Sequence, residues 1–213
     1  MRAVVKKKSW IERHVSDPFV KKAQREGYVS RAAYKLLLLQ EKDRLFKSGM
    51  TVIDLGAAPG GWSQVAKKFV GDHGKIIAVD LLPLEITTDI FIQGDFNDDA
   101  TLQKLTAALH DQRADVLISD MAPNLTGQKS IDMPRSIHLL ELALDCANQV
   151  LKPKGTFLFK AFHGAGLEIF VKTLKLHFKV VKYRKPEASR AESAEVYVLA
   201  LDFHPGYNGC DVV

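Results

Sequence analysis

The chain predicts an α/β fold: one mostly parallel sheet with helices on both faces. Two observations carry this. Short apolar runs alternate with helix-spaced segments along most of the chain, which is the signature of repeated strand–helix–strand units. Their apolar faces need cover on both sides of a sheet, as parallel strands do. At 213 residues, with 46% hydrophobic and 26% charged, the chain suits a single core and excludes a disordered polymer.

The elements follow in order. Ser30 precedes a helical run over residues 31–45 and suits its N-cap, because its hydroxyl can satisfy a free N–H of the first turn. Lys35 lies on that helix. Residues 51–55 form a first strand, followed by the turn Gly56-Ala57-Ala58-Pro59-Gly60-Gly61 and a helix over 62–70. Residues 75–80 and 90–93 are the second and third strands, 101–109 a helix, 116–119 the fourth strand and 137–151 a long helix. A fifth strand spans 155–160 and a helix 167–176, and the β-rich stretches 178–183 and 196–203 pair late in the sheet. There is no internal repeat and no interdomain linker. The expected division is a basic arm over 1–30, a domain over 31–203 and a poorly ordered tail over 204–213.

Charge and composition narrow the class. The excess of 30 Lys+Arg over 25 Asp+Glu is concentrated in residues 1–31, where nine basic side chains (Arg2, Lys6, Lys7, Lys8, Arg13, Lys21, Lys22, Arg25, Arg31) face Glu12, Asp17 and Glu26. A second cluster holds Lys179, Lys182, Arg184, Lys185 and Arg190. Together they point to a polyanion, and to nucleic acid before a membrane. No apolar run approaches the ~20 residues that span a bilayer, and the lysines near Met1 lack a following apolar segment, so a cytoplasmic location is expected. Two cysteines, Cys146 and Cys210, support neither a disulfide framework nor a zinc site, and no metal is expected. A monomer is expected.

The turn after the first strand stands where an open α/β sheet binds a nucleotide-like ligand, and its small residues allow close approach of the backbone. Asp80 closes the next strand, 20 residues after Gly60, where a carboxylate accepts from ribose hydroxyls. Ala58 stands where a dinucleotide fingerprint has its second glycine and Pro59 lacks an N–H donor, which disfavours NAD. A ligand without phosphates, such as S-adenosylmethionine, tolerates both, and Asp54 can face its ammonium end. Asp95 follows the third strand, where it can accept from an adenine amino group or simply cap its loop.

Four more residues form a chemical set. Asp120 and Lys160 end the fourth and fifth strands, at the edge where such sheets keep their sites. Lys160 closes the apolar run Phe157-Leu158-Phe159, so it must snorkel outward or work uncharged. Glu195 opens the last strand, and Lys35 faces inward if Tyr34 and Leu38 mark its helix's mixed face. Methyl transfer from a sulfonium to a hydroxyl needs a base at the oxygen and an aligned geometry, and needs no metal.

The runs Gly27-Tyr28-Val29-Ser30-Arg31-Ala32-Ala33-Tyr34-Lys35, Asp54-Leu55-Gly56-Ala57-Ala58-Pro59-Gly60-Gly61-Trp62-Ser63-Gln64, Asp80-Leu81-Leu82-Pro83, Gln93-Gly94-Asp95-Phe96, Ser119-Asp120-Met121-Ala122-Pro123-Asn124 and Lys185-Pro186-Glu187-Ala188-Ser189-Arg190 resemble the FtsJ/RrmJ family of ribosomal RNA 2′-O-methyltransferases. The resemblance covers residues 10–203. It implies a Rossmann-like methyltransferase fold, S-adenosylmethionine as donor, and a Lys-Asp-Lys-Glu tetrad on Lys35, Asp120, Lys160 and Glu195. It further implies a uridine ribose of the 23S rRNA A-loop, within the 50S subunit, as target.

On this reading Gly56, Gly60, Gly61 and Trp62 shape the methionine end of the cofactor pocket, Asp80 and Asp95 its adenosine end, and Asp120 borders both cofactor and ribose. Lys160 takes the 2′-hydroxyl proton, Asp120 and Lys35 orient it, Lys35 is its positive neighbour, and Glu195 positions the lysines or the ribose. The rival readings are a methyltransferase of tRNA or of mRNA caps, a ribosome-assembly factor with a vestigial cofactor site, and an NAD-dependent reductase.

Overall fold

Seven strands form one sheet in the computed structural model, which describes residues 17–190 and 193–205. In chain order the elements are α1 (Pro18–Glu26), α2 (Ala32–Asp43), β1 (Thr51–Leu55), α3 (Gly61–Val70), β2 (Lys75–Asp80), β3 (Ile90–Gln93), α4 (Asp99–Ala108), β4 (Ala114–Ser119), α5 (Lys129–Val150), β5 (Leu151–Phe162), α6 (Ala165–Leu174), β6 (Phe178–Arg184) and β7 (Glu195–Phe203). The strand order is β3-β2-β1-β4-β5-β7-β6. The first five of these run parallel, and β7 is antiparallel to both β5 and β6.

Alternation along each strand divides the core between the faces. Val52, Ile76, Val116, Ile118 and Leu158 pack with Leu36 and Leu39 of α2 and Val65 and Val70 of α3. Their neighbours Ile53, Ile77, Leu117 and Phe157 pack on the opposite face with Leu140 and Leu144 of α5 and Leu167 and Phe170 of α6. Both faces are therefore covered, which is why the central strands are continuous apolar runs. The chain reverses its direction of growth between β1 and β4, so a crevice opens beyond their C-terminal ends.

Most elements fall within about two residues of the sequence expectation, and three regions differ further. The long helix starts at Lys129, eight residues before Ile137, although Pro134 removes an N–H inside it and its first turns are polar. Asp132 secures the entry by accepting from the backbone N–H groups of Thr126 (2.8 Å) and Gly127 (2.9 Å). Strand β5 begins at Leu151, because Ala114 pairs with Leu151 and the register then shifts so that Val116 pairs with Thr156.

The third difference lies in the expected arm of residues 1–30. Residues 1–16 lie outside the described part, and with them Arg2, Lys6, Lys7, Lys8 and Arg13. Residues 17–30 are not a separate arm but fold onto the domain. Asp17 accepts from Phe19 N–H (2.9 Å), Pro18 fills the first helical turn and Gly27 ends α1 at φ 76°. Val20 and Ala23 are buried while Lys21, Lys22 and Arg25 face solvent. In the expected tail, residues 206–213 with Cys210 are likewise outside the described part.

Candidate active site

The turn after β1 is built around tight approaches. Gly56 has φ 72° and a Cβ there would sit 2.6 Å from Met121 Cγ, so glycine lets the segment that follows β4, with Asp120 and Met121, approach the turn closely. Gly60, at φ 119°, is closed off by Ile86, and Gly61 by Ser30 Oγ at 2.6 Å. All three glycines thus make room for this chain's own side chains, where the sequence suggested room for a ligand, and of the three only Gly56 also lines the crevice described next. The Trp62 indole is also turned inward: it is buried, donates to the Ala32 carbonyl (2.9 Å) and packs on Tyr197.

Beyond this turn lies a crevice of about 350 Å³ lined by Asp80, Asp95, Asp120, Phe96, Met121 and Leu139 among others. Among the described residues no lysine, arginine or histidine lines it. Three carboxylates among apolar walls fit an uncharged nucleoside joined to a cationic group and do not fit a pyrophosphate. Asp80 already accepts from the N–H groups of Ala58 (2.8 Å) and Leu82 (2.8 Å), one on each oxygen, which leaves each oxygen a lone pair for a ribose hydroxyl. Asp95 accepts from the backbone and side-chain nitrogens of Asn97 (2.9 and 2.7 Å), and these bonds hold its carboxyl below the usual range. It caps its loop and lines the crevice at once.

Asp54 lies beneath the turn, fully buried, with one oxygen accepting from Ser63 Oγ (2.7 Å) and the other without a partner among the described residues. Burial, against the Ser63 bond and with Asp120 and Asp80 adding repulsion, pushes its carboxyl up to about 7. The unfolded chain loses this proton near pH 4 and the folded protein near 7, so folding stability falls as pH rises across that window. Relative to the parent, Asp54→Asn is expected to remove a slope of up to about 1.4 kcal/mol per pH unit between pH ~4 and ~7. Denaturant unfolding at several pH values checks this; parallel stability curves for parent and variant contradict it.

The four charged residues meet at the C-terminal edge of β4 and β5. Antiparallel pairing sets Lys160 opposite Tyr197 and Phe162 opposite Glu195, and alternation puts Lys160, Glu195 and Tyr197 on the face covered by α2. They form two ion pairs. Lys35 Nζ lies 2.7 and 2.9 Å from the two oxygens of Glu195, and Lys160 Nζ lies 3.1 Å from Asp120 Oδ1 while also donating to the Asp120 carbonyl. Lys35 is thus paired with Glu195, so its charge is largely balanced before it reaches Lys160. Burial raises the Glu195 carboxyl, but Lys35, together with Ser189 and Lys160, outweighs it and holds the group below the usual range.

Tyr197 and Ser189 complete the arrangement and carry no expected role from sequence. The Tyr197 hydroxyl donates to Asp120 Oδ1 (3.0 Å) and its ring lies 5.6 Å from Lys35 Nζ, so it links the two pairs. Its phenol is raised well above the ordinary value by burial, then by Asp120 and Glu195, and stays protonated. Ser189 Oγ donates to Glu195 Oε1 (3.0 Å). A signal for Tyr197 was present, since it follows Glu195 by two residues on a strand and must share its face.

The second basic cluster is not one patch. Arg184 turns inward to Asp43 (2.6 and 2.8 Å), Lys185 donates to the Ser193 carbonyl (3.0 Å), and Lys179 and Lys182 stay exposed on β6. Arg190 instead lines a pocket of about 250 Å³ beside the Lys35–Glu195 pair, together with Arg31 and Ser193. Among the described residues no cluster of three His, Cys, Asp or Glu could hold a metal, and no helix is long and apolar enough to cross a membrane.

A mostly parallel, doubly covered sheet with a carboxylate-lined crevice at its reversal point defines a Rossmann-like α/β enzyme of the methyltransferase type. The chain belongs to the FtsJ-like methyltransferase family, whose model matches residues 28–203. Methyltransferases of this family use S-adenosylmethionine. Ribosomal RNA large subunit methyltransferase E of Coxiella burnetii (strain RSA 331) is 53% identical over 206 residues, covering 94% of this chain and 97% of the relative. The protein of that description from Cellvibrio japonicus is 51% identical over 205 residues, covering 96% and 95%. A crystal structure described as a ribosomal RNA methyltransferase from Plasmodium falciparum superposes with TM-score 0.72 at 30% identity, over 83% of this chain and 98% of that one.

Proposed function

We propose that this protein methylates the ribose 2′-hydroxyl of a uridine in the A-loop of 23S rRNA, in the 50S subunit. The observation that carries the chemistry is that Asp120 belongs to two places at once. It lines the cofactor crevice and also touches Lys160 and Tyr197, so the methyl donor and the basic groups share a wall. The choice of RNA is supported by the relatives described as large-subunit ribosomal RNA methyltransferases. On this reading the protein works in the cytoplasm, as a monomer, without a metal.

Asp80 and Asp95 would hold the adenosine end of S-adenosylmethionine, and Gly56, Gly60, Gly61 and Trp62, the last through its backbone, would border the methionine end. S-adenosylmethionine, when bound, would supply the methyl group of its sulfonium: the sulfur–carbon bond breaks as the oxygen–carbon bond forms, and the sulfur keeps the electron pair and leaves as a neutral thioether. Lys160 Nζ, once it has released to solvent the proton that makes its ion pair with Asp120, takes the 2′-hydroxyl proton as the new oxygen–carbon bond forms, since a free 2′-hydroxyl is too weak an acid to ionise first. Asp120 fixes the direction of Nζ through its carboxylate and its carbonyl. Tyr197 holds Asp120 in turn, and the Lys35–Glu195 pair lines the pocket of about 250 Å³ that it shares with Arg31 and Arg190. Alignment of the reacting atoms can contribute about 7–11 kcal/mol. Positioning therefore outweighs base strength.

The 2′-hydroxyl is absent from DNA. With a labelled methyl donor, label is expected on the ribose of large-subunit RNA and none on the DNA of that sequence; label on DNA or on a base overturns the reading. The basic N-terminal segment is proposed to grip phosphates. Deleting residues 1–8, which hold Arg2, Lys6, Lys7 and Lys8, should make the salt dependence of RNA binding shallower, by about 0.7 in slope for each single-strand phosphate no longer neutralised. Turnover at saturating RNA should stay within about twofold. An unchanged slope in a binding titration would show that these residues leave the RNA untouched.

A further inference from the structure

One guanidinium joins the start of the described chain to the tetrad. Arg31, at the head of α2, pairs through Nη1 with Asp17 Oδ2 and donates through Nη2 to the Ala188 carbonyl. Asp17 is itself occupied on its other oxygen as the cap of α1. Ala188 is fully buried, and the next residue, Ser189, is the one whose hydroxyl holds Glu195 Oε1 at 3.0 Å. Glu195 in turn holds Lys35. The path Asp17–Arg31–Ala188–Ser189–Glu195–Lys35 is thus continuous: four polar contacts joined by the peptide link from Ala188 to Ser189. Beneath it Ala23, Tyr34 and Ala188 form a small apolar cluster with Phe19 and Tyr28, so the strut rests on a packed floor.

We infer that Arg31 and Asp17 are positioning residues for methyl transfer: the strut sets the loop that sets Glu195, and through it Lys35. This rests on the proposed role of the tetrad at the ribose. Arginine is required because its planar fork presents separate N–H donors to Asp17 and to the Ala188 carbonyl, whereas one ammonium reaches a single partner well. The strut also ties α1, whose outer face carries Lys21, Lys22 and Arg25, to the reacting edge of the sheet. RNA held by α1 is then held at a set distance from the tetrad.

The test compares Arg31→Ala, Arg31→Lys, Asp17→Asn and Ser189→Ala in the full chain. Misplacement of catalytic groups by about an ångström costs up to roughly a hundredfold in rate. Arg31→Ala should therefore lower kcat about 10- to 100-fold with the RNA KM and donor affinity changed less than about threefold, and Arg31→Lys should recover part of kcat. Because Arg31 and Ser189 act in series, the Arg31→Ala, Ser189→Ala double variant should be no slower than the worse single one.

A raised RNA KM at unchanged kcat would overturn the proposal and make Arg31 a direct phosphate contact. Multiplying losses in the double variant, or unchanged kcat, would overturn it too. Amide hydrogen exchange supplies a readout that needs no substrate. The Ser189 N–H, bonded to the Pro186 carbonyl at 2.8 Å, should exchange faster in Arg31→Ala while amides of β1 keep the parent rate. A parent enzyme silent on ribosomal RNA would count against the proposed function alone, and unaltered exchange at Ser189 would count against the strut.

Discussion

Replacing Lys160 by alanine is expected to lower kcat by about 10²–10⁴-fold, the range carried by a positioned proton acceptor, while S-adenosylmethionine affinity stays within about twofold. The separation follows from geometry. Lys160 Nζ contacts Asp120 and does not line the crevice assigned to the cofactor, whose walls are Asp80, Asp95, Phe96, Met121 and their neighbours. Removing the amine leaves Asp120 with the Tyr197 hydroxyl as a partner, so the carboxylate is not orphaned and the wall between donor and ribose survives. Single-turnover kinetics with calorimetry of donor binding checks both halves. Activity within a few-fold of the parent would remove Lys160 from the role of base.

Asp80→Ala should have the opposite signature: donor affinity weaker by about 10–100-fold, with kcat at saturating donor reduced less than about threefold. Hydrogen bonds to a charged group contribute about 1.5–3 kcal/mol each, so losing the acceptor for ribose hydroxyls accounts for that range. The substitution also frees the Ala58 and Leu82 N–H groups, both now bonded at 2.8 Å, so the turn loses its anchor to the end of β2. Calorimetric titration checks the affinity. Full affinity in the variant would place the ribose elsewhere.

Much of this architecture was legible in the sequence, for reasons that differ by element. Strands β1, β2 and β3 fall at the expected residues because buried parallel strands are short apolar runs bounded by turn residues, and both signals coincide there. Helix α5 starts eight residues early because Pro134 and a polar first turn hide a helix that Asp132 stabilises through its bonds to the preceding loop. Helix α1 was hidden by its charge. Its capping pair, Asp17 before Pro18 and Gly27 after Glu26, was available as a signal, and the burial of Val20 and Ala23 depends on Tyr34 and Ala188 beyond it.

The site shows the same division. Strand ends placed Asp120 and Lys160, and strand parity would have placed Tyr197 beside Glu195. The pairing of Lys35 with Glu195, and the inward turn of Trp62 onto Tyr197, depend on how α2 crosses the sheet, which no local pattern encodes.

Nucleoside-resolved mass spectrometry of large-subunit particles incubated with the enzyme and S-adenosylmethionine shows directly whether a methyl group reaches a ribose oxygen of ribosomal RNA. One donor-dependent methyl is expected on the ribose of a single uridine of 23S rRNA, absent when Lys160→Ala replaces the parent. A methyl on a base, or no gain on any ribose by a protein that binds the donor, would contradict this expectation.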